Sequence, residues 1–363
     1  MKGRQKLGLE MLEGRYCLTV AVAVDDGDLV ITGDADGAVE ITAVDATTYE
    51  VRDNGVVVAT ATAVSDDIRI TVDAEGEAND QVTLNLAGQT VDQVMANLDG
   101  GDNSLIVQGG TIAGNLTHRG GGGDDALEIA ADMTVNGSVQ AKLGDGQNSV
   151  TASGSIGRDL IVKAGDGDDS ATLAAGASVG RSLLAQLGDG DNAVSVAGSV
   201  GCDLAVSTGI GDDLLDILAE AAVGRSVAVS LGNGDNTMNL DGAVAGNLAY
   251  RGGEGNDAVT IVAGAAIDGN VRMRLGAGDN TVSINGSIGG NLAVTSANEN
   301  DTVEIADTAT VGGETTLTLG EEAEYGPGGY CGGGISRGPA AGSPGQGLLR
   351  GGSASFIRGS FRR

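Results

Sequence analysis

Aromatic residues are almost missing from this chain of 363 residues. There is no tryptophan, and only two phenylalanines and five tyrosines are present. Compact cores derive much of their buried area from aromatic rings, so the composition argues against ordinary globular domains. The apolar supply is instead almost all Val, Ile, Leu and Ala. Such small side chains suit thin, repeated layers.

Cysteine, basic residues and long apolar runs are also scarce. Cys17, Cys202 and Cys331 lie far apart without a metal or redox spacing, so we interpret them as incidental. No run approaches the roughly 18 apolar residues of a transmembrane helix. The 20 Lys and Arg residues face 50 Asp and Glu residues, which leaves a net charge of −30. This charge argues against nucleic acid and anionic membranes as partners and favours cations.

Glycine, with 64 residues, marks a regular series of turns. Two sets of turns alternate along the chain, and each set repeats every 44 residues. The first set ends at Asn148, Asn192, Asn236 and Asn280, and the second at Asp169, Asp213, Asp257 and Asp301. Weaker members extend back through Asp125, Asn103 and Asp80. The steps between the sets are 21 and 23 residues, so the unit is about 22 residues, doubled into a slightly asymmetric pair.

The segments between the turns predict strands. Thr281-Val282-Ser283-Ile284, for example, alternates polar and apolar residues with a period of two and is bounded by glycine. Short strands at a fixed period with two glycine corners per unit predict an all-β, parallel β-solenoid. We expect a right-handed β-helix of about 22 residues per coil. Its inward positions include Val150, Leu160, Val194, Leu204 and Leu248.

The chain divides into four segments, of which the solenoid occupies residues 79–320. Residues 1–24 are interpreted as an export leader. Residues 25–78 contain the hairpin signal Asp53-Asn54-Gly55 and predict a small N-terminal β cap. Residues 321–363, rich in glycine and arginine, predict a disordered and dispensable tail, whether as a native basic anchor or as a frameshifted reading frame. A bare last coil would favour end-to-end self-association.

One stretch, GGEGNDAVT from Gly252 to Thr260, fits the nonapeptide G-G-x-G-x-D-x-U-x at every fixed position. It resembles the haemolysin-type (RTX) calcium-binding repeats, in which aspartates and turn carbonyls hold calcium. In this chain the nonapeptide occurs once per coil instead of in tandem. The resemblance implies calcium as a cofactor. The residues that it implicates are Asp125, Asp169, Asp213 and Asp257, with the preceding Asp124, Asp168 and Asp212.

The same turns have a second interpretation that needs no metal. Asp and Asn tolerate left-handed backbone and hydrogen-bond their own turns, and stacked asparagines stabilise solenoid corners. The asparagines of alternate coils supply only a neutral oxygen, which weakens each calcium site. Aspartates one coil apart repel each other, which favours a bound cation. Both interpretations stay open at this point.

The N-terminal stretch resembles the LEPR-XLL-type leader of exported and surface proteins of planctomycete bacteria. Leu12-Glu13, Arg15 and Leu18 match that pattern, whereas Gly14 replaces the usual proline and Cys17 a leucine. The resemblance covers about 20 residues and implies that the protein is secreted or held at the cell surface.

Catalysis is not expected, because an active site is a single asymmetric constellation and the carboxylates here recur in every coil. The only histidine, His118, aligns with Val162, Val206 and Tyr250 in a strand column. We therefore expect a non-catalytic, calcium-stabilised solenoid with a structural or adhesive role. Its expected partners are calcium ions and cell-surface or matrix polysaccharide. The alternatives are a polymer-forming scaffold resembling bactofilins and a polysaccharide-active β-helix enzyme.

Overall fold

A computed structural model describes residues 20–33, 37–72, 79–298 and 300–320, and the backbone of Ile335–Arg337 and Gly347–Arg350. The expectations for the leader up to residue 19, for Cys17 and Cys331, and for the rest of the tail lie outside these residues. All elements in the described part are β-strands. That part holds no helix with the length and apolar character needed to cross a bilayer.

The strands form three sheets, which we name A, B and C. Sheet A contains Ala21–Asp25, Asp28–Gly33, Ile68–Val72, Val94–Asn97, Leu116–Gly122, Val139–Asp145, Leu160–Ala164, Leu183–Gln186, Leu204–Ser207, Val227–Ser230, Leu248–Arg251, Val271–Arg274, Leu292–Thr295, Thr315–Thr318 and Ile335–Arg337. Sheet B contains Ala38–Ala43, Thr48–Asp53, Val56–Thr62, Gln81–Asn85, Ser104–Gln108, Ala126–Ile129, Ser149–Ala152, Ser170–Leu173, Ala193–Val196, Leu214–Ile217, Thr237–Leu240, Ala258–Ile261, Thr281–Ile284, Thr302–Ile305 and Gly347–Arg350. Sheet C contains Thr90–Val91, Thr111–Ile112, Thr134–Val135, Ser155–Ile156, Ser178–Val179, Ser199–Val200, Ala222–Val223, Ala243–Val244, Ala266–Ile267, Ser287–Ile288 and Thr310–Val311.

From residue 81 to residue 318 the chain runs through B, C and A in turn, and it completes this circuit once for each of the 11 strands of sheet C. Every strand in this region pairs in parallel with the equivalent strand of the next coil. The register steps alternate as expected, with Val150 opposite Ala171 and Ala171 opposite Val194. The predicted parallel β-solenoid is therefore confirmed. At about 4.8 Å per coil, the regular part is a rod of about 50 Å. Its right-handed sense stays a prediction.

The core is a stack of aliphatic columns inside the three sheets. The five residues predicted to point inward are all at most 2% exposed. Leu160, Leu204 and Leu248 belong to one column of sheet A, in which Leu183 and Val227 fill the intermediate coils. Identical or similar side chains thus pack on each other from coil to coil, which is how a chain with few aromatic rings fills its interior.

The N-terminal end carries the hairpin that the sequence predicted. Thr48–Asp53 and Val56–Thr62 pair antiparallel, and Asn54 and Gly55 have φ of 47° and 74°. Two positive φ values are typical of a type I′ turn, for which Asn-Gly is suited. These strands add to sheet B beyond Ala38–Ala43, which itself pairs in parallel with the first coil. The cap therefore continues the sheets of the solenoid.

At the C-terminal end, the structure describes two short backbone segments of the tail, and the disorder expected for the rest of the tail lies outside the described residues. Ile335–Arg337 pairs antiparallel with Thr315–Thr318, and Gly347–Arg350 pairs antiparallel with Thr302–Ile305. The last coil presents unpaired backbone donors and acceptors, so any extended segment within reach can gain hydrogen bonds there. The glycine content of the tail did not predict these pairings. The C-terminal edges of sheets A and B are therefore not bare.

Candidate functional site

The corner between sheets A and B holds the aspartates that the sequence singled out. One residue per coil points into this corner, and we name these residues the inner column. The inner column consists of Asp80, Asn103, Asp125, Asn148, Asp169, Asn192, Asp213, Asn236, Asp257, Asn280 and Asp301. All of them are at most 2% exposed. Aspartate and asparagine alternate strictly, in step with the 44-residue double unit.

The inner column is a continuous hydrogen-bond ladder. In each coil the backbone N–H of the column residue donates to the side-chain Oδ1 of the column residue in the next coil. All ten successive pairs make this bond, at 2.7 to 3.2 Å. Buried backbone N–H groups require such partners. The corner residue must therefore carry a short side chain with an oxygen, and Asp and Asn both satisfy that need.

Asparagine coils also satisfy the carbonyls of their own turn. Asn192 Nδ2 donates to the carbonyl oxygens of Gly188 at 3.3 Å and Gly190 at 2.8 Å, and to Asp213 Oδ1 at 3.0 Å. The turns at Asn148 and Asn236 repeat the two carbonyl bonds. The glycine carbonyls expected as calcium ligands are therefore already engaged in these coils.

Turn geometry changes with the residue in the column. The first glycine of an asparagine turn, such as Gly188, has a φ of 70°, whereas its counterpart Gly165 in the aspartate turn does not adopt a positive φ. The second glycine has a positive φ in both types, 138° at Gly167 and 119° at Gly190. A Cβ at Gly190 would lie 2.2 Å from the Gly167 carbonyl oxygen of the preceding coil. The second glycine is therefore required by both backbone conformation and close stacking.

In the aspartate coils, the second carboxylate oxygen, Oδ2, has few or no hydrogen-bond partners. Asp125 Oδ2 accepts from the Gly121 N–H at 3.0 Å. The Oδ2 atoms of Asp169, Asp213 and Asp257 are buried and have no hydrogen-bond partner among the described residues. The hydroxyls of Thr208 and Tyr250 interact electrostatically with Asp213 and Asp257, respectively, but stand outside hydrogen-bonding geometry.

Burial is the dominant influence on the protonation of these carboxyls. Desolvation raises the pKa values of Asp125, Asp213, Asp257 and Asp301, and it raises the pKa of Asp169 to about 6. Hydrogen bonds from Asn148 act in the opposite direction at Asp169, but they do not cancel the cost of burying the charge. Asp169 therefore takes up its proton in mildly acidic solution.

The first aspartate of each pair forms a second, exposed column at the same corner, which we name the outer column. Asp124, Asp168 and Asp212 belong to it, and their Oδ1 atoms accept from backbone N–H groups one coil further along, at 2.7 to 2.9 Å. Its bonds thus run in the opposite sense to those of the inner column. Asp191 and Asp235 fill intermediate coils of this column. Asp168, Asp191, Asp212 and Asp235 therefore present exposed carboxylates one coil apart, about 4.8 Å from each other.

The predicted calcium residues thus separate into two columns with different environments. Asp125, Asp169, Asp213 and Asp257 are buried in the inner column, and their partners lie in the outer column. In the described part of the chain, no three carboxylates of this corner bring oxygens within 4.8 Å of one another. A calcium ion prefers six to eight oxygens. The corner therefore offers a line of paired oxygens and does not form a closed cage.

One group of three carboxylates was missed by the sequence reasoning. Asp28, Asp66 and Asp67 place carboxylate oxygens within 4.8 Å of one another near the first coil. Arg69 Nη2 lies 2.8 Å from Asp28 Oδ2 and 3.5 Å from Asp67 Oδ2, so it offsets part of the charge. Only the parallel pairing of Asp28–Gly33 with Ile68–Val72 brings these distant residues together. No spacing in the sequence signals the group.

His118 lies in the core, as its column predicted. It is fully buried between Ala96 and Ala141 of the neighbouring coils. Desolvation lowers its pKa to about 4. It is therefore neutral near physiological pH and does not reach the surface. Cys202 is a free cysteine, partly exposed, and takes no part in the corner.

Comparison with known proteins adds no further information, since no family model, no curated protein and no solved structure matches this chain.

Replacing Asp169 with asparagine tests the protonation of the inner column. The folded pKa of about 6 lies above the usual 3.8 of an aspartate, so the folded chain binds more protons between these pH values and loses stability as the pH rises through 6. We expect Asp169→Asn to stabilise the protein by about 2 kcal/mol at pH 7.5 and to give no gain at pH 4. Thermal melting at both pH values, in chelator, measures the effect. Asp168→Asn, the same charge change at an exposed site, is the control. A gain that persists at pH 4 would contradict the assignment.

The reverse change tests why the column alternates. Asn192→Asp removes three donated hydrogen bonds and puts a third buried carboxylate between Asp169 and Asp213. We expect a loss of about 3 kcal/mol at pH 7.5, seen as a lower melting temperature. Asn256→Asp adds the same charge to the exposed outer column, where Oδ1 can still accept from the Asp279 N–H. Equal losses in both variants would mean that total charge, and not the buried ladder, sets the cost.

Proposed function

We propose that this chain is an exported, non-catalytic β-solenoid with a structural or adhesive role at the cell surface. The observation that carries the proposal is the uniform polar corner, in which ten consecutive bonds tie successive coils together. Such a ladder makes a stiff rod with the same surface chemistry along its length. A rod of this kind spaces or presents surfaces, which suits a scaffold or an adhesin.

Two features support a non-catalytic role. The corner carboxylates are members of hydrogen-bond ladders, so each has a structural task that is the same in every second coil. The buried position of His118 removes the one imidazole from contact with any substrate. A polysaccharide-active enzyme would need acid and base groups in one asymmetric cleft. The described surface supports this alternative less well.

The strands at the two ends bear on the polymer-forming alternative. A scaffold that grows by stacking coils requires open sheet edges. Ala21–Asp25 and Val56–Thr62 lie at the N-terminal edges of sheets A and B, and antiparallel tail segments lie at the C-terminal edges. Antiparallel strands do not continue the parallel register of the coils. This arrangement disfavours growth of a bactofilin-like polymer through sheets A and B.

Calcium remains part of the proposal, and the outer column is where we assign it. The inner Oδ1 atoms and many turn carbonyls are engaged within the protein, which disfavours a buried ion. The outer carboxylates are exposed, repeat one coil apart and repel each other. A divalent cation that bridges adjacent coils, retaining several waters, relieves this repulsion. We expect weak, multiple binding and not one tight site.

A calcium titration of the outer column tests this assignment. Asp168→Asn combined with Asp212→Asn should reduce both the number of ions bound, measured by calorimetry, and the rise of the melting temperature in millimolar calcium. Glu128→Gln with Glu304→Gln, the same charge change on the outer face of sheet B, should reduce neither. A melting curve indifferent to calcium and to chelator would leave the corner without a metal role.

Cell fractionation tests export. Deleting residues 1–19 removes most of the proposed leader and leaves the strand Ala21–Asp25 and its pairing with Asp28–Gly33 intact. We expect the full chain in the exported or surface fraction and the shortened chain in the cytoplasm, with equal melting temperatures. Full-length protein found entirely in the cytoplasm would reject the proposal and favour the internal scaffold.

A further inference from the structure

The outer face of sheet A is basic, although the chain as a whole is strongly acidic. Two columns point outward on this face, one from Met95 to Thr316 and the other from Asn97 to Thr318. The parallel register places six basic residues in them and no acidic residue. The six are Arg119, Lys142, Lys163, Arg251, Arg272 and Arg274. They are six of the nine basic residues between positions 79 and 320.

This concentration is specific to one face. The outward positions of sheet B between Ser104 and Glu304 carry Glu128, Asp216 and Glu304 and no basic residue. The three remaining basic residues of the coils, Arg158, Arg181 and Arg225, lie at the corner between sheets C and A. The uneven distribution therefore separates the solenoid into an acidic corner, a mildly acidic face and a basic face.

The six side chains are available to a ligand. Each is exposed. Ion pairs of the described residues involve Arg52, Arg69, Arg181 and Arg225 and none of these six. Unpaired cations on a chain with a net charge of −30 are not needed for solubility. They form a surface whose complement is negative.

The spacing of the charges suits an extended partner. Arg119, Lys142 and Lys163 occupy three successive coils, about 4.8 Å apart, and Arg251, Arg272 and Arg274 occupy two further coils. Small residues such as Ala205 and Ala228 lie between the two groups and line a shallow open depression of about 380 Å³. A linear chain lying along the rod would contact both groups and pass over the depression between them.

We propose that this face binds a linear anionic polysaccharide that bears carboxylate or sulfate groups. The inference deepens the adhesive role proposed above and rests on it for its biological setting. Arginine pairs with carboxylate and sulfate through two parallel hydrogen bonds, and two separated basic groups add avidity. Charges elsewhere on the rod are screened beyond about 8 Å at physiological salt, so the local cations dominate at contact.

Other polyanions and a second copy fit this face less well. Single-stranded nucleic acid requires aromatic platforms for its bases, and the two tyrosines that the structure describes, Tyr49 and Tyr250, are buried. If sheet A of one copy packed on sheet A of another, the basic side chains of the two copies would face and repel each other. A second copy could offer its acidic corner, a convex edge that meets one column of a flat face, or sheet B, whose outward positions in the coils carry only the charges of Glu128, Asp216 and Glu304.

Binding of the full chain to defined polysaccharides tests the proposal. The probes are polygalacturonate for carboxylate, dextran sulfate for sulfate and unmodified dextran as the neutral control. We expect binding to at least one of the two charged polymers, none to dextran, and loss of binding in 0.5 M NaCl. The triple variant Arg251→Gln, Arg272→Gln, Arg274→Gln should weaken binding about tenfold, since three exposed ion pairs are lost.

The triple variant Arg158→Gln, Arg181→Gln, Arg225→Gln is the matched control, with the same charge change at the neighbouring corner. It should bind within about twofold of the wild type, and melting curves should show both variants folded. Equal weakening in both variants, or no binding to either charged polymer, would overturn the proposal. If the protein formed salt-sensitive dimers that the Arg251, Arg272 and Arg274 variant abolished, the face would bind a second copy of the chain. Tighter binding to oligothymidine than to the polysaccharides would assign the face to nucleic acid. Surface localisation would stand in all these cases, so the two proposals fail separately.

Discussion

The hydrogen bond from a backbone N–H to the side-chain oxygen of the next coil is the interaction on which this structure depends. Where the chain turns from sheet A to sheet B, the backbone N–H of each inner-column residue is buried and needs a partner outside the strand ladders. The inner column supplies a partner at every coil of the corner between sheets A and B. The corner between sheets C and A uses the same device, with Ser182 and Asp203 accepting in successive coils.

Alternation of aspartate and asparagine balances two opposing needs of the inner column. Asparagine donates to the turn carbonyls and carries no charge, whereas an unbroken aspartate column would bury like charges one coil apart. The aspartates that remain are strained electrostatically, and burial raises the pKa of Asp169 to about 6. The corner is thus more stable when Asp169 is protonated or when the repulsion between carboxylates is relieved. The exposed outer column lies beside it and presents further negative charge to cations.

Surface charge is arranged by face, since the coil repeat converts a residue position into a line along the rod. The acidic corner, the small-residue face of sheet C and the basic face of sheet A run side by side for about 50 Å. A solenoid extends any favourable surface contact with each added coil, so weak individual ion pairs gain effect through repetition. For this reason a chain with few aromatic residues still presents distinct surfaces.

The sequence by itself determined the features that repeat. The 21- and 23-residue steps predicted parallel coils, because a stacked repeat places equivalent residues in one column. The period-two segments predicted that Val150, Leu160 and Leu204 point inward. The sequence also posed the choice between metal and hydrogen bonds at the corner. Only the tertiary structure showed the features that depend on the direction of each turn. Sheet C has strands of only two residues, which are too short to show an alternating pattern in the sequence. Lys142 and Arg251 lie on the same face because of the direction in which each coil turns. Asp28 and Asp67 meet through strand pairing, and the tail segments reach the last coil through open backbone groups, neither of which leaves a signal in local sequence.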